Sequence, residues 1–217
     1  MVSEHDPFAD YLVKQFGNEV AAEFPIISRV LPRVADDCQV PVLESDYETF
    51  CRARLAKREE YKERGPDEPF EQLRLLNMLY ERALHYCDVM RRPEFYSGLE
   101  AAKSSEVDQS EDSPDEELDL AVNAQEKLRA IVQHLDETID NDVSGAIGVE
   151  LHRLYDFMLS RLDDTDSLIS ERATEVSLTL REIYLGYLEL EIRADAEDYF
   201  HLRAVMPEEL AEYSEGH

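Results

Sequence analysis

The residues that could do chemistry come first. The six histidines are His5, His85, His134, His152, His201 and His217. A di-iron site inside a helical bundle needs Glu-x-x-His pairs, because residues three apart share a helix face and grip the metals together. None of the six follows a glutamate by three, and the nearest match, Asp198-Tyr199-Phe200-His201, stands alone. Cys38, Cys51 and Cys87 have neither a zinc spacing nor the even count of a disulfide framework. A sparse, odd set fits a reducing compartment, and the three read as small core or surface residues. Gly-x-Ser-x-Gly and phosphate-loop patterns are missing. With 50 Asp and Glu side chains no single carboxylate pair stands out, and nearly all must be solvated. The expectation is a protein with no catalytic residues, no metal and no cofactor.

Charge narrows the partners. The 217 residues carry 22 Lys and Arg against those 50 acids, a net charge of -28. Such a surface repels phosphate backbones and anionic headgroups, which argues against nucleic acid and membrane as partners. No apolar run is long enough to span a bilayer, and the acidic start, Met1-Val2-Ser3-Glu4-His5-Asp6, is not a secretory signal. The acid is uneven. Residues 51–100 hold ten acidic and ten basic side chains, including Arg52, Arg54, Lys57 and Arg58, whereas eight acids crowd between Glu106 and Asp119. The neutral stretch is the place to expect close contact, with a client or with the protein's own N-terminal arm. Residues 103–113 read as an exposed, mobile acidic loop.

Elements that would position any site follow from periodicity. Hydrophobic residues make up 43% of the chain while Gly and Pro number only 7 and 9, which favours long helices. Four stripes step by threes and fours. They are Leu73, Leu76, Tyr80, Ala83, Cys87, Met90; Ala121, Ala124, Leu128, Ile131, Leu135; Ile147, Leu151, Leu154, Met158, Leu162; and Ile169, Ala173, Val176, Leu180, Ile183, Tyr187, Leu190. None can bury its stripe alone, and packing them together buries all four. Ser113-Pro114-Asp115-Glu116 opens the second helix; Asn141–Gly145 and Asp163–Ser167 are the short breaks that make neighbours antiparallel. The fold class expected is all-α: an antiparallel four-helix bundle at 66–195, a helical N-terminal extension at 1–65, and an acidic C-terminal tail at 196–217. A short helix is expected around Glu94–Ala102. In the extension, apolar turns end at Gly17 and at Pro32, Cys38–Leu43 is loop or at most an edge strand, and Ser45-x-x-Glu48 reads as a capping box.

Three of the stripes carry motifs. The first contains Leu75-Leu76-Asn77-Met78-Leu79-Tyr80-Glu81-Arg82-Ala83. The third contains Leu154-Tyr155-Asp156-Phe157-Met158, then Arg161-Leu162. The fourth contains Val176, then Leu180-Arg181-Glu182-Ile183-Tyr184. Over about 68–192 the ordered set resembles the flagellin export chaperones, the FliS family. Glu81-Arg82 stands where that family has Asp-Gly, Tyr184 where it often has Trp, and residues 1–60 have no counterpart in its short N-terminal arm.

The resemblance implies a cytoplasmic, non-catalytic bundle that binds the disordered C-terminal segment of flagellin in apolar grooves. It further implies that premature polymerisation is blocked and type III flagellar export is assisted, with export-apparatus components among the partners. The partner-binding residues expected are Leu76, Leu79, Tyr80, Tyr155, Met158 and Tyr184, each of which could equally serve core packing. The alternative is a binding module of the same fold for a different client or regulator, with residues 1–60 as an intramolecular competitor.

Overall fold

The computed structural model describes residues 7–64, 71–97 and 114–205, and everything regular among them is helical. The elements are α1 (Pro7–Asp37), α2 (Glu44–Glu63), α3 (Gln72–Arg91), α4 (Pro114–Glu137), α5 (Asn141–Asp163) and α6 (Ile169–Val205). A short helical turn occupies 93–97, where a helix was expected, and the rest of that expectation lies outside the described residues. So does the acidic loop at 103–113.

The chain divides into two compact units. One is Leu75–Gly186; the other joins Met1–Arg74 to Tyr187–His217, so α3 and α6 each contribute to both. The bundle unit therefore ends nearer the middle of α6 than the expected boundary at 195. The expected tail is also helix as far as Val205, with Ala196 and Phe200 buried.

In the bundle unit α4 runs antiparallel to α5: Gln125 Nε2 donates to the Leu162 carbonyl (2.6 Å), and near the other end His152 Nδ1 lies 2.6 Å from Asp136 Oδ1. The buried Arg172 Nη1 reaches the same Leu162 carbonyl (3.0 Å) from α6. Two neighbouring helices thus satisfy a backbone acceptor left without an intrahelical partner at the end of α5. Contacts from α3 reach both α5 and α6, through the hydroxyl–hydroxyl hydrogen bond of Tyr80 and Tyr155 and through Tyr184 Oη donating to Glu81 Oε1 (3.1 Å). Gly145, with φ 55° and ψ −130°, makes the expected break before α5 straightens.

The stripes are shifted from the expected ones in all four helices. On α3 the buried positions are Arg74, Asn77, Tyr80, Ala83, Cys87, Val89 and Met90, whereas Leu73 and Leu76 are only half-buried. On α5 they are Tyr155, Met158 and Leu162, leaving Ile147 and Leu154 exposed. On α4 Val132 replaces Ile131 inside. Along α6 the stripe holds through Ala173, Val176 and Leu180, then steps by fours through Leu188, Ile192, Ala196 and Phe200, which leaves Leu190 exposed. Steps of four rotate a stripe around a helix, whereas alternating threes and fours hold it in place.

In the other unit α1 packs on α2. Gly17 breaks α1 at φ 75° and ψ 168°, a region open essentially to glycine alone. Pro32 does not end the helix, which continues to Asp37. Its end is a Schellman cap: Val40 N–H donates to the Ala35 carbonyl (2.9 Å) and Gln39 N–H to that of Asp36 (3.1 Å), with Gln39 left-handed at φ 58°. Cys38–Leu43 is turn and loop. The capping box expected at Ser45 and Glu48 is displaced: α2 starts at Glu44, and Asp46 Oδ2 accepts the Leu43 N–H (2.6 Å) while Glu48 pairs with Arg52.

Candidate client-binding surface

The six expected partner-binding residues separate by exposure. Tyr80, Tyr155 and Met158 lie in the interior of the bundle unit. Leu76, Leu79 and Tyr184 are half-buried and reach its surface. Around them the unit leaves large apolar side chains uncovered: Leu75 beside the half-buried Leu76 and Leu79 on α3, Leu118 and Val122 one turn apart on α4, Ile147, Leu154 and Phe157 on α5, and Leu178 and Leu185 on α6. Ile147, Leu151 and Leu154 recur at i, i+4 and i+7, so the first part of the stripe expected in the core flanks it, while Met158 and Leu162 of that stripe are buried. Leu178 and Leu185, seven apart, occupy the face of α6 opposite Val176 and Leu180. Scattered single apolar residues on a surface need no explanation, but stripes on every helix of one unit do.

The basic run of α2 takes a different place. Arg54 and Arg58 are buried in the N-terminal unit, not displayed. Arg54 Nε donates to Glu23 Oε2 (2.8 Å) on α1, Arg54 also pairs with Asp195, and its Nη2 lies 3.4 Å from Glu191 Oε1 on α6. Arg58 pairs with Glu23 and with Glu19 (3.2 Å), and Lys57 Nζ donates to Asp195 (2.7 Å) and Glu71 (3.1 Å). Burial alone would raise the Glu23 pKa; the charges and hydrogen bonds of Arg54 and Arg58 outweigh it and hold the carboxyl below its ordinary value. Asp46 is buried likewise, accepting from Arg203 Nη1 (2.6 Å) and Tyr199 Oη (3.0 Å). Burial, then Asp46, pushes Tyr199 up to about 12. Of the run, Arg52 alone is well exposed, paired with Glu48 one turn back.

Among the described residues no group of three or more His, Cys, Asp and Glu could hold a metal ion, and no helix is long and apolar enough to cross a membrane. Cys51 and Cys87 are buried thiols whose pKa values burial pushes up to about 11 and about 12, the opposite of an activated nucleophile.

Comparison with known families adds one observation: the model of one family, the flagellar protein FliS, matches residues 105–194. This stretch is FliS-like. It comprises α4, α5 and α6 to position 194, and so includes the second and third motifs. The first motif, on α3, lies before it. No curated protein and no solved structure matches the chain.

Proposed function

We propose that this protein is a cytoplasmic, non-catalytic flagellin export chaperone. The bundle unit binds the C-terminal segment of flagellin, blocks premature polymerisation, and hands the subunit to the type III flagellar export apparatus. The observation that carries this reading is the FliS match over helices that leave apolar stripes uncovered. An unfolded client laying an amphipathic stripe along such helices covers them and orders as it binds, so affinity per unit area is moderate and release is feasible. Leu76, Leu79 and Tyr184 touch the client; Tyr80, Tyr155 and Met158 shape the floor beneath it.

Calorimetric titration with a flagellin C-terminal fragment tests the proposal. Saturable binding with a negative heat-capacity change is expected. Absence of binding at tens of micromolar contradicts it. The alternative, with residues 1–60 lying in the client grooves, has less support, because α1 and α2 pack on each other and Arg54 and Arg58 pair with α1 acids.

A further inference from the structure

The N-terminal unit holds an apolar groove of about 340 Å³ that the flagellin reading does not use. Its lining includes Tyr11 and Phe16 from before the break at Gly17, Phe24 from the helix beyond it, and Tyr47 on α2. Phe24 and Tyr47 stack at a tilt with centroids 6.2 Å apart. Two exposed carboxylates, Glu44 and Glu48, stand on the rim. Glu44 makes no ion pair among the described residues, and Glu48 holds only the exposed Arg52.

We propose that this groove is a docking site for a cationic amphipathic helix of another protein, which buries a bulky apolar residue among the four aromatic rings and sets lysine or arginine against Glu44 and Glu48. Charge decides the occupant. The chain's own segments outside the described residues are acidic: 206–217 carries Glu208, Glu209, Glu212 and Glu215 and no Lys or Arg, and a second copy brings a charge of -28. Both are repelled by the rim, whereas a cation gains the two carboxylates. A volume of about 340 Å³ takes a bulky side chain, and a helix laid over the groove presents one such residue with its cations a turn away.

The test is fluorescence anisotropy at physiological salt with a fluorescein-labelled amphipathic peptide of leucine and lysine carrying one central phenylalanine. It contains no flagellin sequence, so its outcome is separate from that of the chaperone reading. Saturable micromolar binding is expected. Glu44→Lys with Glu48→Lys weakens it about tenfold, and Tyr11→Ser about fivefold. Reversing two exposed acids of the other unit, Glu137→Lys with Glu182→Lys, changes net charge equally and shifts the affinity less than about twofold. A peptide with its apolar residues replaced by serine does not bind. If the charge reversal on α2 perturbs the circular dichroism spectrum, Glu44→Gln with Glu48→Gln and the Tyr11 variant carry the reading. Equal loss in both reversal variants, binding by the serine peptide, or no binding overturns the proposal.

Discussion

Arg54 shows what one residue does that its type does not announce. It sits buried against Glu23, Glu191 and Asp195, so removing it strands carboxylates in a region that water does not reach. Arg54→Met is expected to destabilise the protein by about 3–5 kcal/mol in urea melts, as breaking a buried pair does. Arg52→Met, which removes an ion pair with the exposed Glu48, changes stability by less than about 1 kcal/mol. The pair of variants divides the basic run into a structural and a solvated half. Acid adds a second signature. Glu23 is held below its ordinary pKa of 4.5, so its contribution is present above that value and is lost as pH falls through the lower, folded-state pKa. Glu23→Gln removes the titrating group; the gap in melting temperature between it and the unaltered protein should narrow as pH drops below about 4.5. Arg54 and Arg58 were visible in the sequence as a basic run but not as core, because a periodicity search counts only apolar residues. The signal was there in another form: Glu19 and Glu23, Arg54 and Arg58, and Glu191 and Asp195 are three pairs spaced by four, of alternating sign, on three helices.

Helix existence was legible and helix register was less so. The apolar spacing located α3 to α6, and Pro114, Gly145 and the Asp163–Ser167 break mark real boundaries. Which of two adjacent apolar rows faces inward is decided by neighbours that spacing cannot name. On α5 the row Tyr155, Met158, Leu162 outcompetes Ile147, Leu151, Leu154, since Tyr155 gains a hydroxyl partner on α3 as well as burial. Helix ends show the same limit. Pro32 reads as a stop, yet the chain continues to a cap at Gln39, which has no sequence hallmark because glycine usually takes that place. Gln39 holds a left-handed conformation that costs an L-residue energy. Gln39→Gly is therefore expected to stabilise the fold by about 1 kcal/mol, read as a higher urea midpoint with an unchanged slope.

At the scale of the molecule, acidity and apolar exposure belong together. A bundle unit with uncovered leucines, isoleucine and phenylalanine on its helices would self-associate if neutral; a net charge of -28 keeps copies apart. The likeness to FliS was legible from three short motifs, two of which fall inside the matched stretch 105–194. The division of the chain inside α3 and α6 was not, since a break between units that leaves no break in a helix leaves no turn signal either. The central claim is that the bundle unit's surface, not its interior, receives flagellin. The most direct measurement is calorimetric affinity for a flagellin C-terminal fragment in Leu79→Asp and Tyr184→Ala, each with a thermal melt, beside Arg52→Met as a variant of the other unit. The account predicts binding about tenfold or more weaker in the first two, with the folded state retained, and unchanged binding in the third. Undiminished affinity in folded Leu79→Asp and Tyr184→Ala, or no affinity in the unaltered protein, would contradict it.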